Sequence, residues 1–113
     1  TPLQALTLLN DPVFFEAAQG LGWRVLRESQ GDFAARVDFL YRLTMARPPR
    51  REEIAELEAL FSEQVNLGRT HPEAARKLIG PQAPLEGMDV AEAAAWIGLA
   101  RTVLNLDEFI TRQ

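Results

Sequence analysis

Helix-start signals recur along this chain at short intervals and leave little room for anything but helices. Thr1-Pro2-Leu3-Gln4 places Thr at an N-cap, Pro at the first helical position and Gln at the third, a capping-box-like opening. Asp11-Pro12, Gly31-Asp32, His71-Pro72-Glu73 and Asp89-Val90-Ala91-Glu92 restart the same logic. Between these points apolar residues recur at helical spacing, and no clear period-two alternation appears. The pattern predicts an all-α fold: a compact orthogonal or antiparallel bundle of five to six helices without a sheet. A chain of 113 residues suits one domain, here 1–113.

The segments follow from the punctuation. A short helix runs from Pro2 to about Leu9. Pro12 disfavours helical geometry at Asp11, so Asp11 caps the next helix and Asn10 ends the previous one. That next helix covers about 12–28, with Phe14, Ala18, Leu21 and Val25 on one stripe. Gly20 and Gly22 weaken it by up to about 1 kcal/mol each relative to Ala, and they allow a close helix crossing. A third helix covers about 33–46, on Phe33, Val37, Leu40 and Leu43 or Thr44. Arg47-Pro48-Pro49-Arg50 is a rigid turn. A fourth helix covers about 51–66, with Ile54, Leu57, Leu60 or Phe61, and Val65 inward, and Gly68 ends it. A fifth starts at His71-Pro72 and Gly80 stops it. Residues 80–88 form a loop. The sixth helix is apolar on two faces, one through Val90, Ala94, Ile97, Ala100 and Leu104, the other through Trp96, Leu99 and Val103. That places it at the centre of the bundle.

Composition sets limits on function. Net charge is −4 and no basic block stands out, which argues against a nucleic-acid surface, whose affinity comes mainly from phosphate neutralisation. No apolar run approaches the roughly 20 residues of a membrane span, and no signal peptide is visible. There is no cysteine, so a disulfide, a thiol nucleophile, a Cys-x-x-Cys-His haem attachment and a thiolate metal site are all excluded. The first residue is Thr1 rather than Met and opens a helix directly. The expectation is a piece of a longer protein.

The chemistry-bearing residues do not assemble into a catalytic or metal-binding pattern. His71 is the only histidine, at a helix start on the surface. A triad with Ser29 or Ser62 would need distant loops to converge. A zinc or di-iron site needs several His or Glu-x-x-His ligands. Glu52, Glu56 and Glu63 lie opposite the apolar stripe of their helix, as a solvated face does. Trp23 and Trp96 are candidates either for the core or for binding anchors. The isolated segment is expected to carry no catalytic residue, no cofactor and no metal.

The segment LLNDPVFF at 8–15 has an echo, VLNLDEFI, at 103–110. Each reads Leu-Asn, three residues, then Phe. Phe14 and Phe109 are expected to be buried anchors, each fixed by the corner that its preceding Asn turns. At the second copy no proline enforces a break. Two readings stay open there, a bend at Asn105 or an unbroken stripe through Leu99, Val103, Leu106 and Ile110.

Three ordered segments carry a family resemblance: TPLQALTLLNDPVFFEAA, LYRLTMARPPRREEI and MDVAEAAAWIGLARTVLNLDEFITR. Together they resemble the C-terminal part of the planctomycete surface domain. That domain of unknown function closes large planctomycete proteins that often carry a c-type cytochrome domain. The matching positions are Asn10, Asp11, Phe14, Tyr41, Arg42, Arg47, Pro48, Glu53, Trp96, Asn105, Asp107 and Phe109. Arg50 stands where the family has Thr or Ser as a helix cap. The resemblance implies a piece of a larger secreted protein, periplasmic or at the cell surface. Any c-type haem of such a parent must lie elsewhere, because this segment has no cysteine.

Two functions are compatible with this reading. One is a non-catalytic helical module that packs against the upstream part of its parent chain, and against a surface protein, without nucleic acid or membrane insertion. The other is a helical subdomain that completes an active site in a polysaccharide-related surface enzyme.

Overall fold

The computed structural model describes the backbone of residues 12–111 and the side chains of 12–107. Five helices fill it: α1 (Pro12–Glu28), α2 (Phe33–Thr44), α3 (Arg51–Thr70), α4 (Pro72–Ile79) and α5 (Val90–Thr111). Among the described residues there is no strand. The expected opening helix, Asn10 and Asp11 lie outside the described residues.

The caps work as side-chain chemistry requires. Asp32 Oδ1 accepts from the Ala35 N–H at 2.9 Å and starts α2. Asp89 Oδ1 accepts from the Glu92 N–H at 2.7 Å and starts α5. Each bond satisfies one of the backbone donors that a helix leaves unpaired at its first turn. Between α4 and α5, residues 80–89 hold no helix; Gly80 takes a left-handed φ of 73° directly after α4. That conformation costs a side-chain-bearing residue about 1–2 kcal/mol and glycine little.

α5 is the hub. Residues 93–100 are all buried, more than two full turns without an exposed side, and α5 packs against each of the other four helices. Its small residues let the neighbours come close. A Cβ at Gly22 of α1 would lie 2.9 Å from the Ile97 Cα, and one at Gly68 of α3 would lie 3.1 Å from the Ala91 Cα. Backbone therefore nearly touches backbone at both crossings. Contact order along the helices fixes their directions. Gly22 meets Ile97 while Arg101 sits over Phe15, and Gly68 meets Ala91 while Gln64 meets Gly98, so α1 and α3 both run antiparallel to α5.

Trp23 and Trp96 are both core residues, 1% and 3% exposed. Trp23 spans the α1–α4 contact, and its Nε1 donates to the Ile79 carbonyl at 3.1 Å. This serves an otherwise orphaned C-terminal carbonyl of α4. Trp96 stacks with Phe33 and Phe61 in a trio whose ring centroids lie 5.1–5.3 Å apart, within the range for favourable tilted contacts. Glu52, Glu56 and Glu63 are exposed on the outer face of α3.

Three boundaries differ from the sequence reading. α2 ends at Thr44 rather than Ala46, because Ala46 adopts a left-handed φ of 57° ahead of the proline pair. Gly68 does not end the helix that contains it. α3 runs through it to Thr70, since this glycine serves the crossing with Ala91, and Pro72 supplies the stop by excluding helical geometry at His71. The two readings left open at Asn105 resolve to an unbroken helix: α5 continues through it to Thr111. Asn tolerates a helix end but does not impose one, and no proline follows.

Candidate functional site

Among the described residues, the densest polar arrangement lies where the 45–50 turn enters α3. Pro48 and Pro49 fix φ and deny backbone donors, so the turn cannot close on its own hydrogen bonds. Side chains hold it instead. Arg47 makes a two-pronged pair with Glu53, Nη1 to Oε1 and Nη2 to Oε2, each at 2.9 Å. Arg47 Nη1 also donates to the Pro48 carbonyl at 2.9 Å. Glu53 reaches back, and its Oε1 accepts from the Arg50 N–H at 2.7 Å. This is the reverse half of a capping box. The Arg50 guanidinium carries no acceptor and cannot supply the forward half; its Nε stands 3.6 Å from Glu53 Oε1. Glu53 thus supplies the reverse half, while the forward acceptor that a Thr or Ser cap would offer is not replaced.

Tyr41 forms the inner wall. It is 1% exposed, and the Arg47 guanidinium carbon lies 5.3 Å from its ring centroid, a cation–π distance. Burial, followed by the negative charge of Glu53, pushes the Tyr41 hydroxyl above its ordinary pKa. The Arg47 hydrogen bonds, reinforced by the Arg50 N–H, hold the Glu53 carboxyl at about 2. Outside this wall lies an open groove of about 510 Å³, bordered by Met45, Arg50, Glu52, Glu56 and Leu106.

Four of the twelve motif positions therefore converge: Tyr41, Arg47, Pro48 and Glu53. The other described positions are dispersed. Arg42 is exposed and pairs with Asp38 one turn back at 2.7 Å. Trp96 belongs to the aromatic trio, with Arg36 5.8 Å from its ring centroid. Phe14 is buried, 8% exposed, on α1. Asn105 is half-buried on α5, and its buried Oδ1 has no hydrogen-bond partner among the described residues. Asp107 is half-buried near the end of the same helix. The Phe109 side chain lies outside the described residues, as do Asn10 and Asp11.

A second polar cluster joins α3 to α5. The Glu92 N–H, followed by the Arg69 guanidinium, holds the Asp89 carboxyl below its usual range. Arg69 Nη2 stands 3.2 Å from Asp89 and 3.8 Å from Glu92, tying the end of α3 to the start of α5. His71 is exposed at the α3–α4 junction. Among the described residues no group of three or more His, Asp or Glu is placed to hold a metal ion, and no helix is long and apolar enough to cross a membrane.

The sequence reading marked Tyr41, Arg47 and Glu53 without joining them. The structure shows Glu53 as the clamp of the turn. The available signal was its position, third in the helix after Arg50, where a Glu reaches back to the cap N–H.

The described residues form an all-α bundle in which a polar cluster fastens the turn before α3. The model of the PSD1 family, a protein of unknown function (DUF1553), matches residues 1–61, more than half of the chain, and the chain belongs to that family. Among curated proteins and among solved structures nothing matches.

Proposed function

We propose that this chain is a non-catalytic helical module of a larger secreted or surface protein of planctomycete type. In this reading it works in the periplasm or at the cell surface. It packs against the upstream part of its own parent, near the parent's C-terminal end, and a surface protein is a second partner. It carries no cofactor, and any c-type haem of the parent lies elsewhere. The resemblance of its three ordered motifs supports the setting.

One observation supports the non-catalytic reading most. The ionisable groups that converge are consumed by one another. Both Glu53 oxygens are held by Arg47, and one also caps Arg50. A carboxyl near pKa 2 is a poor general acid or base at neutral pH, because proton transfer is most effective when the pKa lies near the working pH. A buried phenol pushed upward is a poor source of phenolate. Arg47 is committed to Glu53, to the Pro48 carbonyl and to the Tyr41 ring.

The test is made in the longer protein. Glu53→Gln and Tyr41→Phe should lower its thermal midpoint and leave any turnover per folded molecule unchanged. Hydrogen exchange should also be slower over the exposed helical faces in the longer protein than in the chain alone. A loss of kcat on the order of 100-fold in either variant at unchanged Tm would contradict the proposal and favour an active-site subdomain.

A further inference from the structure

We draw no further inference here: the strongest candidate, the shallow apolar groove between α3 and α4 that Leu67, Ala74, Ala75 and Leu78 form over Ala94, carries nothing because nothing in the structure shows what covers it.

Discussion

Two regions of this bundle are held together by different physics. Where α1 and α3 cross α5, cohesion is apolar and depends on shape. Glycine on one side and Ala or Ile backbone on the other bring helices nearly into contact, and the surrounding side chains are buried. At the entry to α3, cohesion is polar and depends on direction. One carboxylate gathers a guanidinium and a backbone N–H around a proline turn. The first kind of contact is lost by adding or removing atoms. The second is lost by removing a charge, even at constant volume. The difference assigns the polar cluster a mechanical role, because it does for a prolyl turn what backbone hydrogen bonds do elsewhere.

The largest effect belongs to the apolar region. Trp23→Ala should cost about 3–5 kcal/mol, from lost burial and the cavity left behind. It also leaves the Ile79 carbonyl without its indole donor. A shift of the urea midpoint equivalent to less than about 1 kcal/mol would mean that α1 is not packed on α4 as described. Phe14→Ala, at 8% exposure, belongs to the same class and should rank just below it.

Gly22→Ala tests shape without removing any apolar surface. Its new methyl would meet Ile97 Cγ1 at 2.7 Å and Cα at 2.9 Å. Helix propensity alone favours the substitution by up to about 1 kcal/mol. Overpacking opposes it by about 1–3 kcal/mol. Because the obstacle is backbone, the clash should win and the variant should be less stable. Gly20→Ala, on the same helix but with open space around it, should instead be neutral or stabilising. If both variants gain stability, the close crossing is wrong.

Glu53→Gln keeps the volume and removes the charge. At neutral pH it should cost of order 1 kcal/mol, since screening at the partly open Arg47 side reduces what a buried pair would show. Arg42→Ala removes an exposed i,i+4 pair of the sort worth roughly 0.3–0.5 kcal/mol. It should change thermal stability least, even though Arg42 belongs to the same sequence motif. If Arg42→Ala is as costly as Glu53→Gln, motif membership and not the clamp sets the energetics.

How much of this was legible in the sequence depends on the range of each interaction. Helix starts at Pro12, Phe33, Arg51, Pro72 and Val90 were readable because caps and prolines act on adjacent residues. The centrality of α5 was readable because a helix apolar on two faces has to be enclosed. Gly68 misleads because the same residue that ends helices also permits crossings, and only the partner at Ala91 decides between the two. Asn105 stayed ambiguous because Asn lacks the steric veto that Pro12 exerts. The Trp23 bond to Ile79 joins residues 56 apart, beyond any local pattern. The Arg47–Glu53 pair is close in sequence, but it forms across a turn in which Ala46 is left-handed ahead of two prolines, a geometry that spacing alone does not reveal.

The mechanical role of the clamp is tested most directly by urea unfolding of the wild type and Glu53→Gln as a function of pH. The Glu53 carboxyl sits at about 2 in the folded chain, against an ordinary 4.5. A depressed folded value means the unfolded chain binds the proton first. The stability it contributes is therefore complete above about pH 4.5 and is lost as pH falls toward 2. The expected result is a gap between the two midpoints that is constant from pH 7 to about 5 and narrows steadily below it, with equal slopes in urea. Midpoints that coincide at pH 7 and stay together at pH 3 would contradict the account and leave Glu53 free for some other task.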